Sequence, residues 1–189
     1  MRYIFVLVLL FSLSHADRDG GPYIGIGYGV SQHNTGSLSY TTPPSDLKND
    51  KSYAGTIYVG AYINKYLSVE LNYADFTGFS KSDGYEIDDT TYLNYYAITT
   101  GVLAHYAFFN DVWDFYAKLQ AGEIHRSSRS DKGFATVYGV GTSVRFNELL
   151  SLKAAYDYYR FGYDEAPNDN SADYILSIDY LYIALEFQF

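Results

Sequence analysis

Six charged side chains recur at positions that an extended chain would turn to a common side: the acids Glu70, Asp157 and Glu186, and the bases Lys118, Arg145 and Lys153. Equal numbers of acids and bases facing one interior can form a desolvated polar network. A lone charge away from water is costly, whereas a paired and hydrogen-bonded one is tolerated. Tyr116, Gln120 and Gln188 share that side and are expected to add hydrogen bonds. A second group, Glu123, His125 and Ser127, has the residue types of a nucleophilic hydrolase: a serine to attack, a histidine to take its proton and an acid to orient the histidine. Alternate residues on a strand lie about 6.6 Å apart. That is too far for a direct hydrogen bond without bending, so the three are read as rim residues and no catalytic residue is assigned.

Other chemistry is thinner. The segments 83–89 and 164–169 are acidic, but neither has the spacing of a calcium loop, so no metal site is assigned. Gly25-Ile-Gly27-Tyr-Gly29 lacks the full dinucleotide fingerprint and no helix follows it. The chain has 0 Cys, hence no disulfide framework and no thiolate site. No cofactor is expected.

The elements that must position these side chains begin after an export signal. Arg2, an apolar run from Tyr3 to Leu13 and Ser14-His15-Ala16 form a signal-peptide pattern, with cleavage expected after Ala16. The apolar run is shorter than the roughly 20 residues of a membrane-spanning helix. Residues 17–189 are read as one domain. Removing residues 1–16 takes the formal charge from −9 to −10, since Arg2 is the charge lost. An acidic surface of that size argues against nucleic acid as a partner.

Eight extended segments follow, each alternating between two faces: 21–30, 53–63, 66–76, 92–106, 112–125, 134–146, 150–161 and 174–189. The last is the clearest. Leu181, Ile183, Leu185, Phe187 and Phe189 fall on one side, and Tyr182, Ala184, Glu186 and Gln188 on the other. In the first, Gly25, Gly27 and Gly29 share a face, which would leave room for neighbouring side chains inside a narrow barrel. Connections alternate long and short, with Asn64-Lys65, Phe108–Asp111 and Asn147-Glu148 as the short ones. The long polar stretches are 32–52, 77–91, 126–133 and 162–173.

An even number of strands with short turns at one end and long loops at the other is the plan of a transmembrane barrel. Each segment covers the roughly 9–11 residues that a tilted strand needs to cross. Closure pairs every backbone N–H and C=O, as lipid demands. The polarity is also inverted: Glu, Lys, Arg, Asp and Gln lie opposite the long aliphatic side chains. A soluble barrel would place the apolar side chains inside. The fold class is therefore all-β, an eight-stranded antiparallel up-and-down transmembrane barrel. With 23 Tyr and 12 Phe, aromatic girdles are expected at both interfaces. Tyr66, Tyr106, Trp113, Phe146 and Phe189 would mark the periplasmic side, and Tyr92, Tyr138, Tyr158 and Tyr174 the outer side.

Three stretches carry a family likeness: Val59-Gly-Ala-Tyr-Ile-Asn-Lys-Tyr-Leu-Ser-Val-Glu-Leu-Asn-Tyr73, Val112-Trp-Asp-Phe-Tyr-Ala-Lys-Leu119 and Leu152-Lys-Ala-Ala-Tyr-Asp157. In them the chain resembles the transmembrane domain of OmpA and, more loosely, OmpX-type small barrels, over 21–189. The resemblance implies the cell outer membrane of a Gram-negative bacterium and a lumenal salt-bridge network whose rearrangement would open a narrow ion path. It also implies outer-membrane lipid as surroundings. The terminal pattern Leu181, Ile183, Leu185, Phe187 and Phe189 resembles the segment that the outer-membrane insertion machinery reads. The peptidoglycan-binding domain of full-length OmpA has no counterpart here, so cell-wall anchoring is not implied. His125-Arg-Ser127 resembles the His-x-Ser element of the lipid A deacylase PagL, but its surroundings do not match. His125, Arg126, Arg129 and Lys132 form a basic cluster suited to lipopolysaccharide phosphates. The expected role is structural or surface-interacting: adhesion, envelope integrity or contact with a host or surface ligand through four outer loops. A narrow ion pore and a lipid A-modifying enzyme are the alternatives.

Overall fold

A computed structural model describes residues 20–35, 51–77, 95–109, 112–126, 132–163 and 174–189. Eight strands run in chain order: β1 Gly21–Thr35, β2 Lys51–Asn64, β3 Leu67–Thr77, β4 Tyr95–Phe108, β5 Trp113–Arg126, β6 Lys132–Arg145, β7 Leu150–Tyr163 and β8 Tyr174–Gln188. Every neighbouring pair is antiparallel, and β8 pairs with β1 from Tyr23↔Gln188 to Thr35↔Leu176, so the sheet closes on itself. A backbone bond from Phe189 N to Pro22 O at 3.0 Å extends that seam at the turn-side mouth, and one from Gln188 N to Leu149 O at 2.9 Å extends the neighbouring β7–β8 ladder.

Alternation decides the two faces. Ile24, Ile26, Ile57, Val59, Leu71, Val102, Leu119, Val140, Leu152, Ile183 and Leu185 point outward and stay exposed, while the residues between them point into the lumen. Those aliphatics form the apolar belt that faces hydrocarbon. Trp113 lies on the outward face near the short turns, stacked on Phe115 at 6.2 Å, and its Nε1 donates to Thr142 Oγ1 at 2.6 Å. Tyr66, Tyr106 and Phe146 are exposed at the same end, and Phe189 partly so. Tyr138 is exposed and Tyr158 half-buried toward the other end; Tyr92 and the side chain of Tyr174 lie outside the described residues.

Several strands outrun the segments expected from sequence. β1 continues through the polar residues Gln32–Thr35, while β5 ends at Arg126 and β6 starts at Lys132. Above the membrane surface a strand needs no apolar face, so polar residues continue the ladder there. The first short turn sits one residue later than expected, at Lys65-Tyr66, and Asn64 Oδ1 accepts from Tyr66 N at 2.8 Å. In the third, Asn147 Oδ1 accepts from Leu149 N at 2.9 Å and from Leu150 N at 2.8 Å. In both cases an asparagine side chain takes up a backbone donor that the tight turn leaves free.

The lumen has two storeys. Toward the short turns and the middle it is polar. Toward the long connections apolar side chains predominate: Phe76, Ile124, Val137, Phe161 and Ile178 are each nearly or fully buried, beside the smaller polar Ser31 and Ser52. Phe76 meets the ring of Tyr159 edge-on at 5.0 Å and that of Tyr180 at 5.6 Å. The inverted pattern predicts a polar core around the charged side chains, and the apolar side chains above it are not part of that expectation. Glycines open the space for large rings lower down: a side chain on Gly25 would run into the ring of Tyr58.

Candidate functional site

Five of the six predicted lumenal charges form one connected group. Glu70 on β3, Lys118 on β5, Lys153 and Asp157 on β7, and Glu186 on β8 all point inward and are all buried. Lys118 Nζ lies 2.9 Å from Asp157 Oδ2 and 3.3 Å from Glu70 Oε1. Lys153 Nζ lies 2.8 Å from Glu186 Oε2 and 3.9 Å from Glu70 Oε2. Glu70 therefore links the two lysines. Its remaining lone pairs are used as well: Tyr23 OH donates to Oε2 at 3.2 Å, and Gln120 Nε2 donates to Oε1 at 3.1 Å. Tyr182 OH accepts from Lys118 Nζ at 3.1 Å and donates to Asp157 Oδ2 at 3.2 Å. The Lys153 ammonium also sits over the rings of Tyr58 and Tyr116, at 4.6 and 4.7 Å from their centroids. Charges this far from water persist because they are paired and hydrogen-bonded, although Asp157 Oδ1 has no hydrogen-bond partner among the described residues.

The sixth charge, Arg145, lies at the end of its strand. It is partly exposed at the turn-side mouth, where its Nη2 donates to Gln188 Oε1 at 2.7 Å. The cause is its place at the last residue of β6, where the long side chain spans the opening. Tyr116 differs from expectation. Among the described residues its hydroxyl has no hydrogen-bond partner, and its ring serves Lys153 instead.

Sequence reasoning missed a second lumenal cluster. Ser68 Oγ lies 2.8 Å from His105 Nε2, and His105 Nδ1 lies 2.8 Å from Asp114 Oδ2. Tyr23 OH joins Ser68 Oγ at 3.2 Å and so connects this cluster to Glu70. The order serine–histidine–aspartate matches that of a hydrolytic triad. Its setting does not: Ser68 is 0% exposed, and the ring of Tyr62 lies 5.0 Å from that of His105. The hydroxyl is enclosed within the barrel wall and the neighbouring rings. The sequence did hold a signal for it. His105 falls between the outward Ala104 and Tyr106, and Asp114 between Trp113 and Phe115, so parity alone turned both inward.

The rim group is arranged differently from expectation. His125 Nε2 lies 3.2 Å from Glu123 Oε2, so the two side chains bridge the distance that the backbone rise alone would leave open. The His125 ring stacks on Tyr96 at 4.8 Å, with 3° between the planes. Lys132 Nζ is 3.7 Å from Glu123 Oε1. Ser127, Arg129 and the side chain of Arg126 lie outside the described residues, as do 1–16, 83–89 and 164–169. Among the described residues no group of three or more His, Cys, Asp or Glu is placed to hold a metal ion.

Comparison with known proteins agrees with this architecture. A family model described as "Outer membrane protein beta-barrel domain" matches residues 3–188. Among solved structures, the crystal structure of Neisserial surface protein A is similar, with a TM-score of 0.63 and 15% identity over 89% of this chain and 97% of the other. Ail, the attachment invasion locus protein of Yersinia pestis, crystallised with the heparin analogue sucrose octasulfate, gives a TM-score of 0.51 at 18% identity, over 90% of this chain and 99% of the other. At these identities the likeness is one of fold. Comparison with curated protein sequences gives no match.

Proposed function

The chain belongs to the outer-membrane β-barrel family and resides in the cell outer membrane, and on that premise we propose that it is a non-catalytic envelope protein acting through its outer surface. The observation that carries this reading is the two-storey lumen. Its charges are paired with one another, and Phe76, Ile124, Val137, Phe161 and Ile178 lie buried above them. Buried side chains packed in this way among the described residues point to the outer wall and the connecting segments as the parts that meet other molecules. Fold alone does not choose among envelope integrity, adhesion and host contact. Ail carries attachment in its name; here that role would rest on the connecting segments 36–50, 78–94, 127–131 and 164–173.

The basic cluster His125, Arg126, Arg129 and Lys132 is proposed to meet lipopolysaccharide phosphates at the rim. In support, β5 and β6 carry Arg126 and Lys132 to their outer ends. The proposed path to the membrane is export, removal of residues 1–16, and reading of the outward face Leu181, Ile183, Leu185, Phe187 and Phe189 by the insertion machinery.

The test uses the purified full chain in planar bilayers and on cells. Absence of resolved single-channel steps is expected, together with loss of surface adhesion or detergent resistance when the four connecting segments are shortened. Discrete conductance steps would overturn this reading in favour of an ion pore.

A further inference from the structure

The outward wall carries a feature that the apolar belt does not explain. Gly55 faces outward on β2 between Tyr53 and Ile57, and a Cβ placed there would meet nothing nearer than Gly27 O at 4.0 Å. The missing side chain leaves a hollow of about 500 Å³ across β8, β1, β2 and β3. Ile26, Ile57, Ile183 and Leu185 line it on the side of the bilayer middle, and Tyr28, Tyr73 and Asp75 line it toward the outer end.

Register places these groups in one row. Tyr28 pairs with Gly55, Gly55 with Asp75 and Asp75 with Tyr96. Neighbouring strands lie about 4.8 Å apart, so the Asp75 carboxylate stands one strand from the empty Gly55 position. Aromatic pairs flank it, with Tyr28, Tyr53 and Tyr73 exposed and Tyr96 half-buried. Tyr28 stacks on Tyr53 at 5.8 Å on one side, and Tyr73 lies 6.1 Å from Tyr96 on the other.

A carboxylate on the lipid-facing wall is costly unless something compensates it. The other outward acids on the strands have partners: Asp179 accepts from Tyr156 OH, and Glu123 lies beside His125. Among the described residues Asp75 has neither a hydrogen bond nor an ion pair. A partly exposed carboxylate beside exposed tyrosine faces suits an ammonium group, which gains both the charge attraction and the ring quadrupole. The apolar floor beneath suits a hydrocarbon chain on the same molecule.

We propose that this hollow seats an outer-leaflet lipid with an ammonium-bearing headgroup, its nitrogen against Asp75 between Tyr28 and Tyr73, and an acyl chain along Ile26, Ile57, Ile183 and Leu185. The site lies on the wall of the barrel and does not depend on what the connecting segments bind.

The test reconstitutes the full chain in vesicles of equal phosphatidylethanolamine and phosphatidylglycerol and counts co-ejected lipids by native mass spectrometry. The wild type should retain phosphatidylethanolamine about fivefold over phosphatidylglycerol, the size of an exposed cation–π contact. Asp75→Asn should bring the two near parity. Gly55→Leu, which fills the hollow, should remove the retained lipid. A heat-modifiable gel shift establishes that each variant is folded. Equal retention of the two lipids by the wild type would overturn the proposal, as would a preference unchanged in Asp75→Asn. Retention lost in Gly55→Leu but never selective for the amine would overturn the ammonium assignment.

Discussion

Gly139 on β6 and Asp157 on β7 are cross-strand partners, packed so closely that a Cβ on Gly139 would collide with Asp157 Oδ1. Asp157 is the carboxylate that holds Lys118. Gly139→Ala is therefore expected to displace the carboxylate, and overpacking of this kind costs about 1–3 kcal/mol. Urea unfolding from lipid vesicles should show a lower midpoint with the slope unchanged.

Lys118 is the shared partner of two buried acids, so its removal should do more damage than removal of the whole group. Lys118→Met leaves Asp157 without its cation and Glu70 with only the more distant Lys153, at about 3–5 kcal/mol. The triple change Lys118→Met, Glu70→Gln and Asp157→Asn should recover much of that loss. A recovery smaller than the experimental error would mean that the pairing is not what holds the middle of the lumen.

Ser68, His105 and Asp114 should prove to be structural. A fluorophosphonate probe is expected to leave Ser68 unmodified in the folded barrel, because the hydroxyl is 0% exposed. Ser68→Ala should lower stability by about 1 kcal/mol, the net worth of a typical hydrogen bond. Labelling of Ser68 in folded protein, abolished in His105→Ala, would instead mark a working nucleophile.

The upper storey should behave like the core of a water-soluble protein. Phe76 packs its ring against Tyr159 and Tyr180, and Phe76→Ala is expected to cost about 3–5 kcal/mol. If that variant also admits ions in planar bilayers while the wild type does not, the apolar layer is the seal.

The whole barrel should resist SDS without heating and change its gel mobility after boiling, because closure leaves no unpaired strand edge. A single mobility at both temperatures would contradict the β1–β8 seam.

Parity made much of this fold readable. Leu181 to Phe189 alternates without interruption, and the same period assigned inward and outward faces to all eight strands. Charges on the inward face followed from it, which is why Glu70, Lys118, Lys153, Asp157 and Glu186 stood out before any coordinates. Parity says nothing about height or about partners across the lumen. Arg145 shares the inward parity but sits at the end of β6, so its length carries it to the mouth. Lys118 and Glu70 meet across 48 residues of sequence at 3.3 Å, a distance set by the register of the strands between them. Phe76, Ile124 and Ile178 were hidden for a different reason. Apolar residues on a face already read as polar do not announce themselves, although they close the barrel. Asp75 carries no signal in the sequence, because one acid near the end of an outward face looks like the start of a loop and only the register sets Gly55 beside it.

The chain has one tryptophan, and it stands beside the short turns with its indole anchored to Thr142. Its emission therefore comes from a single depth, the leaflet on the periplasmic side. In a refolding experiment it acts as a clock for one end of the molecule, while the gel shift times closure of the whole. If the two signals separate in time, their order tells whether the turn end crosses the bilayer before or after the last seam is joined.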